Sequence, residues 1–266
     1  MSAFPIKTVA ELAAEGRTPE VLFWVGCAGS FDQRAQKITQ AFARILHAAG
    51  IEFAILGEEE FCTGDPAKRA GNEFIFQMAA LTNIETLNGY GIRTIVTTCP
   101  HCFNIIKNEY PELGGTYEVY HHSQFLQKLL DTGRLRIEGG EYQGQHITYH
   151  DSCYLGRGNG IYEVPRQVIR YLDAELVEMR RNRRHALCCG AGGAQIFKEA
   201  EKGTHEVNEE RTQDILATGC RIVATACPFC MLMFRDGIKA RHAEDHIEVK
   251  DISELLWERL QDPSHK

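Results

Sequence analysis

Long apolar runs are missing from this sequence, and their absence excludes a membrane-spanning protein. The longest runs, such as VLFWVG at 21–26 and TIVTT at 94–98, have the length of a strand, whereas a helix that crosses a bilayer needs about 20 apolar residues. The segment MSAFPIKTVAELAAEG has no apolar stretch behind a basic flank, so we expect no secretory signal. We therefore predict a cytoplasmic protein, whose only route to the inner face of the membrane is peripheral, through a partner.

Basic runs and a dinucleotide-binding fingerprint are missing too. The formal net charge at pH 7 is −7, and no basic run offers phosphate groups a partner, so we expect no nucleic-acid binding. No Gly-x-Gly-x-x-Gly follows a predicted strand, because the glycines at 190–193 come directly after a pair of cysteines. The sequence therefore predicts no bound nicotinamide or flavin.

Cysteine is the residue that stands out. The chain has ten cysteines among 266 residues, and grouped thiols in a chain of this size more often bind metal than form disulfides. We expect Cys220, which matches no other cysteine, to be a small buried apolar residue. The others form a first group of Cys27, Cys62, Cys99 and Cys102, and a second group of Cys153, Cys188, Cys189, Cys227 and Cys230.

The two groups repeat at a nearly constant spacing. The recurring pairs are Cys99-Pro-His-Cys102 with Cys227-Pro-Phe-Cys230 at 128 residues, Cys27 with Cys153 at 126, Cys62 with Cys189 at 127, and Tyr117 with Ile247 at 130. Landmarks that recur in one order at one spacing indicate an internal duplication. We therefore predict two homologous domains at 20–140 and 145–266, joined by the Glu/Gly/Gln stretch around 138–145.

Each copy alternates strands and helices. In the first copy, the pattern predicts strands at 21–26, 51–57, 92–98 and 117–119, and helices at 31–49, 66–87, after Cys99-Pro100, and at 122–130. This alternation predicts an α/β fold of two pseudo-symmetric Rossmann-like domains, each a mostly parallel sheet flanked by helices. Ligands of such sheets bind at the carboxyl ends of the strands. Six cysteines lie shortly after a predicted strand, namely Cys27, Cys62, Cys99, Cys153, Cys189 and Cys227.

Thiolates are the ligands that zinc, copper(I) and iron–sulfur clusters prefer. Cys-Pro-x-Cys places two sulfurs at the first turn of a helix, where free N–H groups can donate to them. The second group offers five thiolates, one more than a closed zinc site takes, and the adjacent Cys188 and Cys189 suit a cluster better than a single ion. The first group has Phe61 where the second has Cys188, and its four thiolates suit a cubane [4Fe–4S] cluster or zinc. A thiol–disulfide exchange site would explain a Cys-x-x-Cys pair but not the remaining cysteines.

The segments around these cysteines resemble a known family. The pattern Cys153…Cys188-Cys189-Gly190…Cys227-Pro-Phe-Cys230 is similar to the CCG, or cysteine-rich, domain of heterodisulfide reductases. The segments VGCAGSFD, FCTGDPAKRAGNE, TTCPHCFN, HDSCYLGRGNGIYE, LCCGAGG and ACPFCMLM resemble the cysteine-rich half of iron–sulfur oxidoreductases that link electron-transfer flavoprotein to menaquinone. The resemblance covers nearly the whole chain from about residue 20.

The resemblance implies an iron–sulfur electron-transfer subunit of a multisubunit oxidoreductase, without activity alone. It implies a non-cubane [4Fe–4S] cluster on the five second-domain cysteines. The implied partners are a membrane-associated or ferredoxin-like iron–sulfur subunit, and electron-transfer flavoprotein or another dehydrogenase. The alternatives are a thiol/disulfide reductase subunit of heterodisulfide reductase type, the iron–sulfur subunit of a lactate or glycolate oxidation complex, and a zinc-stapled scaffold.

Further side chains near the predicted strand ends could take part in chemistry, although we expect structural roles for most of them. His150-Asp151, beside Cys153, is the pair most suited to proton delivery. Asp65 is expected to cap a helix with Pro66 in its first position. The remaining candidates are the histidines His101, His121 and His122, and the core residues Met231 and Met233.

Overall fold

Two parallel four-stranded sheets form the framework of the protein. The computed structural model describes residues 5–137, 142–199 and 203–261. The strands are β1 (Val21–Trp24), β2 (Phe53–Ala54), β3 (Thr94–Thr97), β4 (Glu118–His121), β5 (His146–Tyr149), β6 (Glu175–Leu176), β7 (Ile222–Thr225) and β8 (Glu248–Asp251). Their orders, β2-β1-β3-β4 and β6-β5-β7-β8, are equivalent. The predicted pair of Rossmann-like α/β units is thus confirmed.

The domain limits at 140 and 145 remain a prediction, because residues 138–141 of the predicted join lie outside the described residues. The α-helices are α1 (Val9–Ala14), α2 (Gly26–Phe31), α3 (Ala35–Ala48), α4 (Asp65–Arg69), α5 (Glu73–Gly89), α6 (Pro100–Asn108), α7 (His122–Asp131), α8 (Gly156–Asn159), α9 (Glu163–Arg170), α10 (Val207–Leu216), α11 (Pro228–Ala240) and α12 (Ile252–Gln261). No helix within the described ranges is both long and apolar enough to cross a membrane.

Helices cover the sheets, which explains why the central strand β1 is apolar along its whole length. All four residues of β1 are buried, as expected for a parallel strand that is covered on both faces. The helix α3 turns one apolar stripe inward, formed by Ile38, Phe42, Ile45 and Leu46. This spacing is that of one face of a helix.

Two equivalent helix contacts, related by the repeat, join the two halves. The helix α3 of the first half contacts α12 of the second, and α7 of the first contacts α9 of the second. Arg34 strengthens the first contact through a salt bridge to Glu254 with an N–O distance of 2.7 Å. This arrangement turns the carboxyl ends of the two central strand pairs toward a shared region.

Two predicted helices are interrupted. The predicted helix at 66–87 is two helices, α4 and α5, because Gly71 takes a φ of +85° and Asn72 starts a new helix by accepting a hydrogen bond from the Ile75 N–H. The predicted helix at 31–49 begins only at Ala35, after the separate helix α2. Asp65 is not the cap of α4, since Gly64 holds that position at a φ of +88°.

Candidate metal centres

Four of the six cysteines predicted at strand ends lie there. Cys27 is in α2 beyond β1, and Cys153 is in the turn that follows β5. Cys99 and Cys227 are the residues before α6 and α11, so Cys102 and Cys230 fall in the first turns of those helices. Their N-terminal N–H groups are therefore available to sulfur.

The prediction was wrong for the positions of Cys62 and Cys189. Both lie on long loops, eight residues after β2 and thirteen after β6, because these two edge strands are only two residues long. The loops lead from the edge strands back toward the central strands and bring their cysteines to the other thiols. Specific hydrogen bonds must hold such loops in place, and the periodicity of the sequence does not reveal these bonds.

Glu60 anchors the first loop over the end of β1. Its carboxylate accepts hydrogen bonds from the Val25 N–H at 2.9 Å and the Gly26 N–H at 2.6 Å. Burial raises the pKa of Glu60 to about 7, although these two hydrogen bonds oppose the shift. The Asn83 amide also donates to the Cys62 carbonyl at 3.0 Å. The loop thereby holds Cys62 beside Cys27.

Asp151 anchors the second loop in a comparable way. It accepts a hydrogen bond from the Arg183 N–H at 2.7 Å and a bidentate pair from Arg166 at 2.7 and 2.8 Å. The loop places the sulfur of Cys188 3.9 Å from that of Cys153. Asp151 is thus committed to two arginines and does not form the predicted proton-delivery pair with its neighbour His150.

A glycine two residues after Cys62, and another two residues after Cys188, show how the two halves should be aligned. The Gly64 N–H donates to the Cys62 sulfur at 3.5 Å, and the Gly190 N–H donates to the Cys188 sulfur at 3.4 Å. Both glycines have left-handed backbones, with φ values of +88° and +94°. Cys62 is therefore equivalent to Cys188, not to Cys189 as the spacing of 127 residues suggested. Buried Thr63, rather than Phe61, replaces the missing cysteine of the first half.

The four thiols of the first half interact with one another. A hydrogen bond from Cys27 lowers the pKa of Cys62 to about 6 and raises that of Cys27. Burial opposes ionisation of Cys99, but the Cys102 thiol, the charge of His101 and nearby backbone N–H groups lower its pKa to about 7. The same contact, together with burial, raises the pKa of Cys102. Two thiols of this group are therefore set to ionise readily, as metal binding requires.

The five cysteines of the second half form a similar but more buried group. Hydrogen bonds from Cys153 and Cys189 lower the pKa of Cys188, and the same contacts raise the pKa values of the two donors. A hydrogen bond to Cys189 and burial raise the pKa of Cys230. The sulfurs of Cys189 and Cys230 and a ring nitrogen of His150 all lie within 4.8 Å of one another.

A cavity between the halves adjoins the first thiol group. Its empty space, including the part open to solvent, amounts to about 450 Å³. Cys27, Cys62 and Cys102 of the first half line it, together with Ile196, Phe197 and Phe229 of the second. A set of soft sulfur donors, served by backbone N–H groups and enclosed by apolar side chains, is the environment of an iron–sulfur cluster. The residues present therefore fit such a group.

Comparison with known proteins finds one family match in each half of the chain. Residues 21–107 and 147–235 each match the family described as "Cysteine-rich domain", or CCG. The chain belongs to the CCG family. The two matched segments carry the two thiol groups, so each group sits in its own CCG domain.

Curated relatives are longer than this chain. It is 40% identical over 94% of its length to the EtfAB:quinone oxidoreductase of Syntrophomonas wolfei, of which the match covers 36%. It is 45% identical over 94% of its length to the probable iron-sulfur-binding oxidoreductase FadF of Bacillus subtilis, of which the match covers 35%. The identity is 35% over 91% of the chain to one subunit of the dihydromethanophenazine:CoB--CoM heterodisulfide reductase of Methanosarcina barkeri, with 59% of that protein covered. The chain thus spans about a third of the first two relatives.

His101 lies between the two CCG domains. Its Nδ1 is 2.9 Å from the Asp65 carboxylate, and its ring packs on Tyr154 and Phe229 with centroid distances of 4.4 and 5.3 Å. Burial opposes protonation, but the hydrogen bond to Asp65 and the nearby Cys99 and Cys227 raise the pKa of His101 to about 9. Besides the structural role that we expected, His101 therefore places a positive charge between the two thiol groups.

His121 and His122 have the structural role that the sequence predicted. Ser123 Oγ lies 2.8 Å from His121 Nδ1, His121 Nε2 lies 3.2 Å from His122 Nδ1, and His122 Nε2 lies 2.9 Å from Asp251. All four residues are fully buried. The chain of hydrogen bonds joins β4 of the first CCG domain to β8 of the second.

The remaining predictions concern packing. Cys220 and Met231 are buried as predicted, and Met233 is partly buried against the second core. Sequence reasoning missed three polar residues that support the thiol groups, namely Glu60, Tyr154 and Arg211. For Glu60 the signal was available, because the acidic run Glu58–Glu60 stands two residues before Cys62.

Proposed function

We propose that this chain is an iron–sulfur electron-transfer component of a larger oxidoreductase. It would relay electrons between a flavoprotein and a quinone-linked partner. The observation that carries the proposal is the pair of thiol groups at the carboxyl ends of two equivalent sheets, which face a shared region between the CCG domains. The matches to an EtfAB:quinone oxidoreductase and to FadF support the same role.

We assign one centre to each CCG domain. The second-domain centre would be a [4Fe–4S] cluster, of the non-cubane type, held by Cys153, Cys188, Cys189, Cys227 and Cys230. In the first domain Cys27, Cys62, Cys99 and Cys102 would hold a [4Fe–4S] cubane or zinc. The five buried or half-buried thiols of the second domain favour a cluster with several irons over a single ion. A bound cluster supplies one-electron chemistry, and these residues set its exposure and hydrogen bonding.

The exposed face of α5 supports a partner at the first centre. Phe74, Ile75, Met78 and Leu81 of this helix are 73%, 52%, 56% and 50% exposed. An apolar surface of this kind commonly marks a protein contact. Cys62 is also exposed, and its loop is tied to α5 through Asn83. An electron would therefore enter or leave beside the contact surface.

We assign this face to the membrane-associated or ferredoxin-like iron–sulfur protein. Glu73 and Glu85 flank the apolar side chains on the same helix, so a partner surface with an apolar centre and a basic rim would fit. The longer relatives carry additional chain beyond the matched part, which is consistent with further protein beside these CCG domains. The acidic rim disfavours direct contact with an anionic lipid surface.

A potentiometric titration tests the relay. The anaerobically prepared chain, followed by EPR and visible absorption, should show reversible reduction of the second centre and, if the first holds iron, of that centre too. Reduced electron-transfer flavoprotein, added in place of a chemical reductant, should reduce the same centres in the presence of the partner subunit. A chain that shows no reversible transition after cluster reconstitution would contradict the proposal.

A disulfide reductase is the second candidate. The match to a heterodisulfide reductase favours it, and so does the cavity between the CCG domains. That cavity is lined by Cys27, Cys62 and Cys102, however, and not by Cys153 or Cys188, whereas cleavage of a disulfide at the second centre would require an open cavity beside those two cysteines. Turnover of a low-molecular-weight disulfide by the fully loaded complex would support this candidate. If no turnover occurs, the electron relay is the function that stands.

A further inference from the structure

His150 is a buried side chain that the relay itself does not use. It follows β5 directly and is fully buried. Its Nδ1 accepts a hydrogen bond from the Nε–H of Arg211 at 3.2 Å. Arg211 is also fully buried, and its Nη1 donates to Asp214 at 3.0 Å and to the Arg181 carbonyl at 2.6 Å. Arg211 therefore cannot turn away from His150 without losing these bonds.

This contact fixes the tautomer of the imidazole. A guanidinium can only donate, so the ring proton of His150 must be on Nε2. Burial and the positive charge of Arg211 lower the pKa of His150, which keeps the ring neutral. The Nε2 atom has no hydrogen-bond partner among the described residues. A buried donor without a partner is unfavourable, so Nε2 calls for an acceptor that the described part of the chain does not supply.

The groups beside this donor are sulfurs. A ring nitrogen of His150 lies within 4.8 Å of the sulfurs of Cys189 and Cys230. The ring of Phe234 packs edge-to-face on the imidazole at a centroid distance of 4.5 Å and limits its movement. Cys189 is the cysteine that the first domain lacks, so the donor accompanies the thiolate that distinguishes the second centre.

We propose that His150 is a positioning residue that tunes the second centre, donating a hydrogen bond from Nε2 to one of its sulfur atoms while Arg211 fixes the tautomer. The proposal rests on the proposed function, because it requires an iron–sulfur cluster on the second-domain cysteines. A hydrogen bond to sulfur stabilises the reduced, more negative state of a cluster. His150 therefore raises the reduction potential of the second centre.

The test compares His150→Phe, which removes the donor, with His150→Gln, which keeps an N–H at a similar reach. The midpoint potential of the second centre is measured by EPR-monitored titration of the full chain. We expect His150→Phe to lower the ratio of reduced to oxidised centre about tenfold at a fixed potential, which equals about 59 mV for one electron. We expect His150→Gln to restore most of this difference. If the first centre holds iron, its midpoint potential in the same sample is the internal control.

A measurement on the unsubstituted protein covers the case in which the Phe variant does not bind its cluster. With ¹⁵N-labelled histidine, pulsed EPR should detect a weak nitrogen coupling and a proton that exchanges in D₂O. A strong coupling would make His150 an iron ligand, and no coupling would place it away from the cluster; either result overturns the proposal. An unchanged potential in fully loaded His150→Phe also overturns it, whereas a chain that never binds iron contradicts the proposed function instead.

Discussion

Thr63 and Cys189 hold equivalent positions in the two CCG domains, and this one difference gives the first thiol group four cysteines and the second five. Both side chains are buried, with 3% and 2% of their surface exposed. The preceding cysteines, Cys62 and Cys188, receive the same backbone hydrogen bond from a glycine. The backbone therefore accommodates either residue, and in our proposal the side chain at this position decides the type of centre.

Cys189→Thr, which gives the second domain the residue of the first, should change the second centre. We expect cluster affinity to fall at least about tenfold, the lower end of what loss of an outer-shell partner causes, and the EPR signal of the second centre to be lost or replaced. Iron content and EPR spectra measure both effects. Thr63→Ser is the matched control and should leave both centres unchanged. An unaltered second-centre spectrum in Cys189→Thr would show that Cys189 is not a ligand.

The buried imidazole of His121 makes stability depend on pH. Burial and the neighbouring His122 lower the pKa of His121 well below 6.5, and the other groups that face it are Ser123 and, through His122, Asp251. The folded state therefore leaves His121 neutral at a pH at which the unfolded chain binds a proton. The free energy of unfolding contributed by this group is complete above the unfolded pKa and is lost as the pH falls below it.

His121→Gln should flatten this dependence. Between pH 6 and pH 5 we expect the free energy of unfolding of the unsubstituted protein to fall by up to about 1.4 kcal/mol more than that of the variant, the limit for one proton per pH unit. Urea unfolding at both pH values measures the difference. Parallel pH dependences of the two proteins would contradict the assignment of a neutral, buried His121.

At the scale of elements, α5 has more exposed large apolar side chains than any other helix in the part of the chain that the structure describes. Its buried side, which includes Phe76, Ala80 and Leu87, packs on the first domain. Its other side exposes Phe74, Ile75, Met78 and Leu81. A helix that is apolar all round normally has a second contact, and we have assigned that contact to the iron–sulfur partner.

Leu81→Lys should weaken this contact without affecting the fold, because Leu81 is half exposed. In electron transfer with the iron–sulfur partner we expect an increase in KM of about tenfold, equal to about 1.4 kcal/mol of binding free energy, with iron content unchanged. Tyr171→Lys, a change of an exposed side chain at the end of α9 in the other domain, is the matched control. Equal effects of the two substitutions on KM would contradict a partner site on α5.

Some strands and helices could be predicted from the sequence, and others could not. Strands such as β1 and β3, and the Cys-Pro-x-Cys helices α6 and α11, were predictable because local apolar patterns and a proline define them. The split between α4 and α5 depends on the left-handed backbone of Gly71, and the helical spacing of apolar residues does not reveal that conformation. The loops that carry Cys62 and Cys189 were not predictable, because Glu60 and Asp151 fix them through contacts with distant backbone N–H groups.

At the scale of the whole molecule, duplication explains most of the architecture. One α/β unit, repeated, gives two sheets with an equivalent strand order. The contacts of α3 with α12 and of α7 with α9 join the two units. The thiol groups consequently approach one another from the two halves, with His101 between them. The repeat could be read from cysteine spacing alone, whereas the equivalence of Cys62 with Cys188 required the backbone geometry.

The most direct test of the account is the content of iron, acid-labile sulfide and zinc per chain after anaerobic purification. We expect roughly eight irons with matching sulfide, by the stoichiometry of two four-iron clusters. Roughly four irons with about one zinc would make the first centre structural and keep the second as the redox centre. Zinc without sulfide, even after attempted cluster reconstitution, would contradict the central claim that this chain carries electrons.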